Sequence, residues 1–182
     1  MLGGTSRRSA AALAAACLSL VVAGAAVASP TQPRRPAASL SSLEQGVLAD
    51  INAFRTQHKL VPLRLSASLT TAAREHSQQM GEQGYFAHES ADGSAFWKRI
   101  KAVYPQGPFH YWAVGENLLW SSPDVDAQGA LQLWVNSPEH KANMLTAQWR
   151  EIGVSAVHVT AAPGTFDGQD VTIVTTDFGV RR

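Results

Sequence analysis

Two stretches near the C-terminus, Ile152 to Val159 and Asp170 to Gly179, alternate in the manner of strands, whereas the patterned segments ahead of them repeat with the period of a helix. Turn residues from Pro163-Gly164 to Asp167-Gly168 join the two, so they read as a hairpin. Helices gathered first and strands gathered last bury their apolar faces by laying the helices over a mostly antiparallel sheet, an α+β fold. No internal repeat is visible.

The helical stripes are explicit. Ser41 and Glu44 stand in the S-x-x-E arrangement of a capping box, and Leu43, Val47, Leu48, Ile51 and Phe54 form one face behind it. A second helix starts near Ser66 or Ser68 and runs to Met80, with Gly81 and Gly84 as stops. Its stripe is Leu69, Ala72, Ala73, His76 and Met80, which makes His76 a buried, hydrogen-bonded core residue. A third runs from Ala95 to Val103 with Phe96, Trp97 and Ile100 inward. A fourth opens at Ser122-Pro123 and carries Val125, Ala127, Ala130, Leu131, Trp134 and Val135 on its face.

Asn136 and Ser137 break that helix, and Pro138 opens another short one with Ser137 as N-cap. His140 then falls in a first turn, where the positive end of the dipole disfavours imidazolium and leaves a neutral ring able to ligate or to accept a proton. Between the helices, Tyr111 to Trp120 carries VGENL. Gly115 there allows close backbone approach and an unusual φ, which aims Glu116 into a cleft.

The first 28 residues have the form of a signal peptide. Arg7-Arg8 precede a run rich in Ala, Leu, Val and Gly that ends in Ala26-Val27-Ala28, an A-x-A cleavage site. Secretion is therefore expected, without stable membrane insertion once the leader is removed. Residues 29–40 form a Pro-rich linker, and residues 41–182 form the domain. The leader holds Arg7, Arg8 and no acid, so its removal moves the net charge from +1 to −1 and leaves no electrostatic footprint for nucleic acid. Cys17 is the one cysteine and lies in the leader. Disulfides, thiolate zinc sites and cysteine nucleophiles are all excluded from the mature domain, whose size allows a core that does without them.

Three motifs carry a resemblance: YFAHESADG at 85–93, VGENL at 114–118, and WVNSPEHKANMLTAQWREIG at 134–153. In this order they are similar to the bacterial branch of the CAP superfamily, the SCP-like proteins related to cysteine-rich secretory proteins, antigen 5 and plant pathogenesis-related proteins. The resemblance spans Ser42 to Val180 and implies a three-layer α-β-α sandwich. It also implies a central cleft with two histidines and two glutamates able to bind a divalent metal. The matching positions here are His88, Glu116 and His140; the second glutamate falls on Ser137 and is missing. Glu139, next to His140, faces another way on a helix. A remaining His2Glu set suits zinc better than calcium or magnesium.

The resemblance further implies a lipid or sterol-like ligand in an apolar groove, with Trp112, Trp120, Ser137 and Asn143 as candidate contacts. For Asn117 and Asn143 the first expected work is bonding loop backbone, and for every tryptophan it is core packing. The expected function is a secreted, monomeric binding module of defence, stress or envelope contact, with no catalytic residue named. The alternatives are an envelope domain with a vestigial cleft, and an extracellular hydrolase. A hydrolase would use metal-activated water, or a serine such as Ser90 or Ser137 paired with a histidine.

Overall fold

The computed structural model describes residues 40–182. The leader, and the linker apart from Leu40, lie outside the described residues. Helix α1, Ser42–Gln57, begins with the expected capping box: Glu44 N–H donates to Ser41 Oγ at 3.2 Å, and Ser41 N–H donates to Glu44 Oε2 at 2.7 Å. Helix α2, Ala67–Gln83, is capped by Ser66 and ends where Gly84 takes a left-handed conformation, φ 71°. It runs a turn longer than Gly81 suggests. Gly81 stays helical because it packs face-on against Val159 and Ile173, where a side chain would collide.

Helices α3, Phe96–Val103, α4, Ala127–Asn136, and α5, Pro138–Met144, follow. The cap of α4 is Asp126, whose side chain accepts from Gly129 N–H at 2.7 Å; Ser122-Pro123 belongs to the loop before it. In α3 the inward residues are Phe96, Arg99 and Ile100, with Val103 half-buried. Trp97 is turned out, 40% exposed, with Lys98 Nζ 5.8 Å from its ring centre. The stripe i, i+3, i+4, i+7 from Phe96 explains this, since it omits the next residue along.

The sheet contains β1, Arg64–Leu65, β2, Trp112–Ser121, β3, Glu151–Ala162, and β4, Gln169–Arg181, in the order β1-β3-β4-β2. The VGENL stretch is thus a ten-residue strand. Pairing is antiparallel between β2 and β4 and between β3 and β4, while the two-residue β1 runs parallel to β3. The sheet is therefore mixed, because the short link from α1 to α2 passes along its β3 edge in the same sense as β3.

Helices α2 and α3 cover one face; α1, α4 and α5 cover the other. Strand β4, covered on both sides, is buried without a break from Val171 to Val180. The contact between α2 and β3 is close. A Cβ on Gly153 would stand 2.1 Å from the carbonyl carbon of Leu69.

Along β2 the pleat divides the motif between the layers. Trp112, Val114, Glu116, Leu118 and Trp120 lie on the α2/α3 side; Ala113, Gly115, Asn117 and Leu119 lie on the other. Gly115 has ordinary extended geometry, not the unusual φ expected of it. What it requires is space: a Cβ there would meet Asn143 Oδ1 at 2.7 Å and Trp149 Cζ2 at 2.9 Å.

Candidate functional site

Glu116 lies buried on β2 opposite Asp177 of β4, which in turn stands opposite Gly153. Both of its carboxylate oxygens are taken by the protein. Oε1 accepts from His88 Nδ1 at 2.8 Å, and Oε2 is bound by the Arg99 guanidinium. Arg99 Nη1 also donates to the His88 carbonyl at 3.3 Å and to Ser90 Oγ at 3.2 Å, so one guanidinium ties the carboxylate to the loop that carries the histidine. Only 10% of the Arg99 side chain is exposed.

The His88 loop is held from below as well. His76 donates from Nε2 to the Ala87 carbonyl at 2.9 Å. This is the buried, hydrogen-bonded core role expected of His76. Burial, and then the positive charge of Arg99, push its pKa down to about 4. With Nδ1 of His88 held at the carboxylate, the side chain is still 47% exposed.

His140 sits on α5, on the far side of the β2 edge. Its carbonyl accepts from Asn117 Nδ2 at 3.0 Å, and its ring is half-buried with no hydrogen bond among the described residues. Its pKa is lowered, first by burial and then by the charge of His88, with Glu139 pulling the other way. The neutral ring read from the sequence is supported, but burial is the main cause.

The four residues expected to contact a ligand are dispersed. Trp112 and Trp120 lie at opposite ends of β2, roughly 26 Å apart along the strand. Trp112 donates to the Tyr104 carbonyl at 2.8 Å, and Trp120 packs edge-on against Phe166 at 5.3 Å. Ser137 bonds Glu139 at 3.5 Å on the surface. Asn143 binds the Glu116 carbonyl at 3.1 Å and Asn117 Oδ1 at 2.9 Å, and its own carbonyl accepts from Trp149 Nε1 at 2.9 Å. Its amide holds β2 to α5, as the loop-bonding reading has it.

As arranged, the set does not fit a divalent ion. The one carboxylate is already engaged on both oxygens, by the Arg99 guanidinium and by His88. Among the described residues no three His, Cys, Asp or Glu side chains form a group that could hold a metal. Neither serine proposed as a nucleophile is paired with a histidine: Ser90 is bonded to Arg99, and Ser137 to Glu139.

Two functional residues escape a sequence reading. Arg99 has a signal, its i+3 spacing from Phe96 on the inner stripe of α3. Asp177 has none, since it stands in an apolar run and gains meaning only from its cross-strand neighbour. It is fully buried, directly across the strand pair from Glu116. Burial, and then the negative charge of Glu116, raise its pKa well above the usual carboxylate range, with Arg99 opposing. Beside this cluster a hollow of about 510 Å³ opens to solvent, lined by Glu75, Gln79, Ser90, Asp92, Lys98 and Arg99.

The model of the CAP, or cysteine-rich secretory protein, family matches residues 48–175, more than half of the chain. The chain belongs to the CAP family. Two curated relatives from Bacillus subtilis (strain 168) resemble its CAP domain. The uncharacterized protein YkwD is 29% identical over 119 residues, covering 65% of this chain and 44% of that protein. The uncharacterized membrane protein YlbC is 28% identical over 111 residues, covering 61% and 30%. The chain thus spans less than half the length of either. Among solved structures, an outer surface protein of Borrelia burgdorferi shares the fold with TM-score 0.61 and 22% identity, covering 76% of this chain and 92% of that one. An extracellular SCP-domain protein of Bacillus anthracis str. Ames follows with TM-score 0.55 and 26% identity, covering 80% and 45%. Among the described residues no helix is long and apolar enough to cross a membrane.

Proposed function

We propose that this CAP domain is an extracellular binding module whose cleft takes a small hydrogen-bonding ligand, such as a short saccharide or peptide, at the exposed edge of His88. One observation carries the reading. Glu116 is satisfied on both oxygens by its own chain, so it is spent on fixing His88 and is not free to act as a base or a ligand to metal. What faces solvent is half of the His88 side chain, and beside Arg99, which binds the His88 loop, opens a hollow lined with carboxylates, amides, hydroxyls and a lysine. The extracellular setting is supported by the leader-like N-terminus and by solved relatives described as outer surface and extracellular proteins. Trp112 and Trp120 lie at opposite ends of β2, each with its own packing or hydrogen-bond partner, so the two together do not favour an apolar ligand over a polar one.

A second reading has its own support. A carboxylate that orients an imidazole through Nδ1 is the base half of a hydrolytic triad, and here it would have to activate water, since no serine accompanies it. Titrating chitobiose, a dipeptide, oleate and cholesterol into labelled protein, with the histidine ring signals followed by NMR, separates these readings. The proposal expects His88 and His140 to move with the saccharide or the peptide and to stop responding in His88→Ala. Movement of the Trp112 and Trp120 indole signals with oleate or cholesterol alone would sink it, and turnover of an ester, peptide or glycoside lost in His88→Ala would favour the hydrolase.

A further inference from the structure

We infer that the Arg99 guanidinium is the resident cation of this cleft, standing where the family resemblance implies a divalent metal, and that the cleft takes no metal while Arg99 is in place. The inference is independent of which ligand the cleft receives.

The work a metal would do here is to hold one carboxylate and two histidines from separate elements in a fixed relation. In this chain much of that work is done by a side chain. Arg99 reaches in from the buried stripe of α3, binds Glu116 Oε2, and fastens the His88 loop through the His88 carbonyl and Ser90 Oγ. A planar fork with several donors suits that bridging role, and it carries its charge at any physiological pH.

Charge balance agrees with the geometry. The buried neighbourhood holds Glu116, Arg99, Asp177 and His76. Within it the Glu116 carboxylate and the Arg99 guanidinium are in direct contact, one anion against one cation. A divalent ion entering beside Glu116 would meet a fixed guanidinium on the carboxylate it needs. Ser137, where the pattern has a second glutamate, supplies no carboxylate to offset that repulsion.

The test is zinc titration of chelator-stripped protein by calorimetry, with melting curves at pH 7.5. Zinc is supplied at about a hundred times a micromolar Kd. The wild type is expected to bind no stoichiometric zinc and to melt unchanged. Arg99→Met frees the carboxylate and should gain one zinc with a rise in Tm of at least about 5 °C, both lost when His140→Ala or Glu116→Gln is added. Arg99→Lys keeps a cation and should stay metal-free. Where Arg99→Met fails to fold, Arg99→Gln removes the charge while keeping donors, and the same gain is required of it. One equivalent of zinc bound by the wild type and lost in His140→Ala overturns the inference, as does a folded, uncharged variant that takes up no zinc.

Discussion

At the scale of single residues, the cleft is held by side chains that have little capacity left for anything else. Asn143 shows this best. Its amide donates to the Glu116 carbonyl and to Asn117, while its carbonyl, and at 3.3 Å its side-chain oxygen, receive Trp149 Nε1. Replacing it by Ala removes the donor that holds β2 to α5 and opens a gap under Gly115, which should cost about 1–3 kcal/mol. Chemical denaturation reads this directly. An unchanged midpoint would mean that Asn143 is a ligand contact and not a brace. The sequence already offered that role for Asn143, because an asparagine one turn after His140 can bond loop backbone. Arg99 was not read from the sequence. Its spacing put it on the inner face of α3, but a lone arginine there gives no hint of the carboxylate that receives it.

At the scale of elements, the packing of α2 on β3 sets the depth of the cleft, since α2 carries His76 and leads directly into the His88 loop. That packing depends on Gly153. Adding a Cβ would press on the Leu69–Thr70 backbone from 2.1–2.2 Å, and backbone cannot swing aside as a side-chain end can. Gly153→Ala is expected to destabilise by about 3 kcal/mol or more, with the His88 ring signal shifting because α2 is displaced. A loss below about 0.5 kcal/mol in urea denaturation would show that α2 rides more freely on the sheet than drawn. Helix α1 was the most readable element, cap and stripe together. The VGENL strand was not readable, because a strand buried on both faces at its centre, with a glycine and two polar residues there, lacks a clean alternation.

At the scale of the whole molecule, stability should depend on pH through groups buried in neutral form. For His76 the folded pKa, about 4, lies below the unfolded value near 6.5. The unfolded chain therefore binds a proton first as pH falls. Stability is lost from about pH 6.5 downward until the folded form also protonates near pH 4, up to about 3 kcal/mol in all. Asp177 has the opposite slope. Its folded pKa is raised, so its contribution is full below the unfolded value of 3.8 and erodes as pH rises toward the folded one. Urea denaturation of wild type and His76→Gln between pH 4 and pH 8 isolates the first effect. The difference between them should narrow as pH falls, and parallel curves would show that His76 does not titrate as described.

Local chemistry was enough for the α+β class and most of the helix starts, while the grouping of His88, Glu116 and His140 came from the family resemblance and not from their spacing. Caps, apolar periods and residue types at set spacings are all written along the chain. What those residues do to one another emerged only once the chain was folded. The antiparallel register of β2 on β4 brings Asp177 behind Glu116 from a strand far along the sequence, and the orientation of α3 brings a guanidinium onto the same carboxylate. Charge pairing in a buried site depends on which groups share a few ångströms of low-dielectric space, and chain spacing carries no record of that.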